Sequence, residues 1–64
     1  MKNILRECRE ALGISQEKLS ELSTVSRTTI SDIETGKKVV VTNVTLEKIA
    51  TALGKKITDI FFKE

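Results

Sequence analysis

Histidine, proline, tryptophan and tyrosine are all missing from this 64-residue chain, and cysteine and methionine occur once each. Without histidine, the commonest metal ligand and general base are gone. A single cysteine forms no intrachain disulfide, and with scattered carboxylates it lacks the ligand spacing of a metal site. Nor is there a glycine-rich phosphate loop or a pair of acids placed in an evident pocket. No catalytic residue, metal or cofactor is therefore expected. The absence of proline leaves helices uninterrupted. No apolar run exceeds three residues, which excludes a signal-peptide core and a membrane span and makes a cytoplasmic location the expectation.

What is present describes a small helical domain. With 31% charged residues and only two aromatics, both near the C-terminus, residues 1–64 are expected to form one domain. A core of that size is marginal, so dimerisation would help stability as well as function. The net charge of +2 is too weak to argue for nucleic-acid binding by itself. Any such binding must rest on where the cations lie, and they are paired only at Lys37-Lys38 and Lys55-Lys56.

Periodicity predicts the elements. A first helix over about Asn3 to Leu12 places Ile4, Leu5, Cys8, Ala11 and Leu12 at three- and four-residue spacing, with Cys8 a buried, inert thiol. Gly13, Gly36 and Gly54 each follow a helix-like segment, where a left-handed cap favours a residue without Cβ. Ser15 caps a second helix, about Gln16 to Ser23, with Leu19 and either Leu22 or Ser23 inward. Val25 plugs a turn, and Ser26 caps a third helix whose inward residues are Ile30 and Ile33. At about 100° per residue, Thr28, Ser31 and Asp32 fall opposite that packed side. Arg27 stands at the tip, on the flank. Asn43 or Thr42 caps a fourth helix with Leu46, Ile49, Ala50 and Leu53 as its stripe. A last helical turn carries Ile57, Ile60 and Phe61, with Phe61 in the core and Phe62 left for solvent or a subunit contact.

Ser15-Gln16-Glu17 with Leu19, then Val25-Ser26-Arg27-Thr28-Thr29-Ile30-Ser31, then Ile33-Glu34 with Gly36-Lys37, resembles the helix-turn-helix of the phage repressor and Cro class, the XRE type, of DNA-binding domains. Arg9 before Leu12-Gly13, Leu46 and Ile49-Ala50 before Leu53-Gly54, and Ile57 before Ile60-Phe61 extend the resemblance over almost the whole chain. It implies an all-α, five-helix, lambda-repressor-like fold. It also implies a sequence-specific homodimer on double-stranded DNA, regulating transcription most often as a repressor, with half-sites about 34 Å apart.

By that resemblance, base readout falls to Arg27, Thr28 and Asp32, with Ser31 a weaker candidate. Arg27 suits guanine O6 and N7, Thr28 a thymine methyl or a hydrogen bond, and Asp32 either cytosine N4 or the exclusion of other bases. Ser15, Gln16, Thr29, Lys37 and Lys38 are the candidate phosphate contacts. The family's first-helix arginine matches Arg9, which implies an ion pair with Glu34, a carboxylate projected towards the inward face and needing a partner.

Two departures stand out. Thr24 occupies a turn position where relatives usually have glycine, at a cost of about 1 to 3 kcal/mol if φ is positive. The Lys37–Asn43 loop is a residue or two longer than usual and lacks the customary proline. Its Val39, Val40 and Val41 suggest extended structure that covers the core or joins a dimer contact with Phe62. The competing expectation is a protein-interaction module on the same fold, such as an antitoxin or antirepressor. A chain ending just after its last helix leaves no obvious second domain, whether it stands alone or fronts a longer regulator.

Overall fold

A computed structural model describes residues 2–37 and 40–62. Five helices lie among the described residues: α1 (Leu5–Ala11), α2 (Gln16–Ser23), α3 (Arg27–Thr35), α4 (Asn43–Ala52) and α5 (Ile57–Ile60). They are bracketed by two short strands, β1 (Lys2–Asn3) and β2 (Phe61–Phe62).

Hydroxyls start three of the helices. Ser15 Oγ accepts from Lys18 N at 3.0 Å, Ser26 Oγ from Thr29 N at 3.1 Å and Thr42 Oγ1 from Thr45 N at 3.2 Å. Each such cap contributes about 1 kcal/mol. Gly36 ends α3 with φ +81°, the left-handed cap expected of it.

The packing is built on α2. It lies against both α3 and α4, while α1 rests on α3 and α5 on α4. Leu5, Leu19, Ile30, Ile33, Ile49 and Ile60 are the fully buried side chains at the centre. Burying each contributes roughly 1.5 to 3 kcal/mol, which is why so few residues suffice. Among the described residues, no helix is long and apolar enough to cross a membrane.

Several local expectations need correction. The first helix begins at Leu5 and not at Asn3, because Ile4 has a non-helical backbone and falls outside the 100° projection. Ile4 is exposed, and so is Leu12, at 55%. Beyond Gly13 it is Ile14 that packs on the core in Leu12's stead. On α2 the inward choice is Ser23, whose Oγ accepts from Val25 N at 3.2 Å and so stays satisfied when buried. Leu22 points outward.

The C-terminal end differs most. Phe61 is core, but as a strand residue: its extended backbone pairs antiparallel with Asn3, and Phe62 pairs with Lys2. Successive strand side chains face opposite ways, so Phe61 goes in and Phe62 out by period two and not by helical geometry. The valine stretch supplies no strand in its described part: Val40 to Thr42 are irregular, with Val41 partly buried on the core and Val40 76% exposed. Val39 and Lys38 lie outside the described residues.

Thr24 takes φ +60° and ψ +19°, and is the non-glycine residue with positive φ among those described. A β-branched side chain is strained there, and its only local return is Oγ1 donating to Ser23 O at 2.6 Å. Thr24→Gly is expected to stabilise the domain by about 1 kcal/mol, raising Tm by roughly 4 to 8 °C. Thermal unfolding followed by circular dichroism reads this directly; an unchanged or lower Tm would show that the turn stores no strain.

Candidate nucleic-acid interface

Helices α2 and α3 bring their N-terminal ends to one face. Ser15, Gln16 and Glu17 at the start of α2, together with Arg27 at the start of α3 and Arg9 of α1, line an open polar recess of about 450 Å³. The N–H groups of Gln16 and Glu17, in the first turn, have no intrahelical acceptor and carry the positive end of the helix dipole.

Along α3 the split between faces follows the projection. Ile30 and Ile33 are buried, Arg27 and Thr28 are exposed, and Ser31 and Asp32 are half-buried on the outer side. Thr29 Oγ1 accepts from Ser26 Oγ at 2.8 Å, which leaves its own proton free to donate. Lys37 is exposed immediately beyond the helix. The structure thus gathers Ser15, Gln16 and Arg27 in one recess, strings Thr28, Ser31 and Asp32 along α3, and sets Lys37 at its far end.

What holds these parts in register is Glu34. Its side chain is 0% exposed, and both oxygens are used. Oε2 accepts from Arg9 Nε at 2.8 Å, while Oε1 accepts from an Arg9 terminal nitrogen at 3.1 Å, Gln16 Nε2 at 3.2 Å and Arg6 Nε at 3.4 Å. The Arg9 contact is the forked, two-point geometry in which a guanidinium binds a carboxylate best. Arg9's remaining terminal nitrogen donates to Ile14 O at 2.8 Å, so one side chain ties α1 to both α3 and the loop leading into α2.

The electrostatics follow. Burial pushes the Glu34 carboxyl up, but hydrogen bonds from Arg9, Gln16 and Arg6 and the Arg9 charge outweigh it and hold the group below its ordinary value. The hydrogen bond to Glu34 likewise raises Arg9 above the usual arginine range, against partial burial.

Gln16 is therefore shared. One amide proton is committed to Glu34, and the second has no acceptor among the described residues. Sequence reasoning missed Arg6 as a member of this cluster, although its spacing of three from Arg9 puts both on one side of α1. Half-exposed, it adds little to stability. It also missed Asn3, whose Nδ2 donates to Ile33 O at 3.2 Å across 30 residues of sequence with no local signal to announce it.

A model of the helix-turn-helix family matches residues 5–60 of this chain. An uncharacterized HTH-type transcriptional regulator of Bacillus subtilis, YgzD, is 42% identical over 64 residues, spanning 100% of this chain and 96% of its own. An uncharacterized HTH-type transcriptional regulator of Methanothermobacter thermautotrophicus is 40% identical over 62 residues, covering 95% and 88% respectively. No solved structure matches the chain.

The Glu34 cluster sets the pH dependence of stability. A carboxyl whose folded pKa lies below its unfolded value, about 4.3, contributes fully above that value and loses its contribution as pH falls through the lower folded one. Glu34→Gln should cost about 3 to 5 kcal/mol at neutral pH, because Arg9 is left without its charge partner. The difference from wild type should shrink on acidification below about pH 4. Urea unfolding of both proteins across that range makes the comparison; a gap independent of pH would exclude the ionised carboxylate as the stabilising species.

Proposed function

This chain belongs to the XRE-type helix-turn-helix family of DNA-binding transcription regulators, and from that premise we propose that it binds an inverted-repeat operator as a homodimer and represses by occluding a promoter. The observation that carries this reading is the recess in which Arg27 of α3 meets the open N-terminal end of α2. An arginine at the tip of one helix beside free N–H groups of another is an arrangement that takes a base edge and a phosphate at adjacent points.

In this reading Arg27 donates a bidentate pair to guanine, Thr28 meets a thymine methyl, and Asp32 accepts from cytosine N4, with Ser31 near a neighbouring base edge. Ser15, Gln16, Thr29, Lys37 and Lys38 grip phosphates. Exposed Val40 and Phe62 are the candidate subunit contacts, together with Val39; Val41, partly committed to the core, contributes less. Half-sites about 34 Å apart put the α3 helices of both subunits on one face of the duplex. The work is binding, not catalysis, and its place is the cytoplasm.

One observation favours the second reading, a protein-interaction module. Exposed Leu22 and Val44 flank an open groove of about 590 Å³ between α2 and α4, on surfaces that the DNA reading does not use.

Selection of bound sequences from random duplex DNA, at two salt concentrations, separates the two. The DNA reading predicts an enriched inverted repeat whose affinity falls with salt by about 0.9 power per phosphate neutralised. Failure to enrich any motif would favour the interaction module. Arg27→Ala should then cost about 1 to 3 kcal/mol and relax preference at one position of each half-site. Unchanged selectivity in that variant would remove Arg27 from the readout.

A further inference from the structure

Asn3 lies in the strand at the start of the chain, away from the recess, yet its side chain bonds to two helices at once. Oδ1 accepts from Leu5 N at 3.1 Å, at the start of α1. Nδ2 donates to the carbonyl of Ile33 at 3.2 Å, in the last turns of α3. Its backbone is paired with Phe61, and antiparallel partners share a face, so Asn3 stands on the inner side of the ribbon beside the buried ring.

The Ile33 carbonyl is one of those that the end of a helix leaves without an intrahelical partner. Here it receives the N–H of Gly36 at 3.3 Å and the Asn3 amide. Helix carbonyls point along the axis towards the C-terminus, so the Asn3 bond acts along α3 and resists sliding. The Glu34 side chain leaves the next residue across the axis and is gripped by α1, which resists rotation. Two neighbouring residues thus fix two different degrees of freedom of one nine-residue helix.

Resting on the DNA-binding reading, we propose that Asn3 is a positioning residue for DNA recognition. It clamps the ribbon made by the two ends of the chain onto the C-terminal turn of α3. That clamp sets how far the helix advances and where Lys37, directly after Gly36, meets the phosphate strand. Nothing in Asn3 touches DNA; it acts through Ile33 and Gly36.

Two substitutions divide its bonds. Asn3→Ser keeps a short acceptor for Leu5 N but cannot reach Ile33. Asn3→Asp keeps the length and the acceptor and places an oxygen against the Ile33 carbonyl where a donor stood. Both should exchange the amide proton of Gly36, which donates to the Ile33 carbonyl, faster than wild type in the free protein. Both should also bind the wild-type operator with a salt slope shallower by about 0.9, one phosphate contact fewer. Asn3→Ala, which loses the acceptor as well, controls for capping: extra instability in it alone measures the Leu5 bond. Wild-type exchange and wild-type salt slope in the serine and aspartate variants, with the wild-type protein selecting its operator, would overturn the clamp while leaving the DNA reading intact. A wild-type protein that selects no sequence would overturn both.

Discussion

A carboxylate with no exposed side-chain surface is the constraint around which this small fold is arranged. Glu34 sits on the helix that carries the outward Arg27, Thr28 and Asp32, and burying its charge is tolerable only if every lone pair finds a donor. Arg9 meets that requirement from α1, Gln16 from the start of α2, and Arg6 from the rim. The same bonds that neutralise the charge therefore assemble three helices in one relative position. Gln16 makes the connection to function explicit, since the amide that helps satisfy Glu34 also belongs to the recess beside Arg27.

Small size explains why such a cluster is used. A 64-residue chain buries a core of about a dozen side chains, and its margin is only a few kcal/mol. Directional bonds then decide which of several similar packings is adopted. Ser23 shows the economy involved: it is buried and uses its hydroxyl on the Val25 N–H, closing the turn into α3. Thr24 beside it is held in left-handed backbone by those neighbours, a local conflict that the surrounding packing overrides.

The parts that were legible in the sequence are those governed by local rules. Ser15 and Ser26 announce helix starts, Gly36 a stop, and the spacing of Ile30 and Ile33 the inner face of α3. The resemblance to phage repressors supplied the fold and the match of Arg9 to Glu34. Less legible were features decided by distant contact. A helix projection cannot tell that Leu12 stands past the packed turn while Ile14 takes its place. Nor can it show that the last helix stops at Ile60 because Phe61 finds a strand partner in Asn3, almost the whole chain away. Val40 and Val41 illustrate the opposite error: high β-propensity has no effect where, among the described residues, no partner strand lies alongside, and both stay irregular.

The arrangement of the three helices depends on Arg9 and Glu34 acting as one unit. A double-mutant cycle of Arg9→Leu and Glu34→Leu, read by urea unfolding at neutral pH, measures that coupling. Losing Arg9 leaves a buried carboxylate with only Gln16 and Arg6, and losing Glu34 leaves a largely buried guanidinium with only the Ile14 carbonyl. Each single change should therefore destabilise by about 3 to 5 kcal/mol, whereas the double change, which leaves neither charge, should cost no more than either alone. Additive losses would contradict it, showing two independent residues where a shared lock is required.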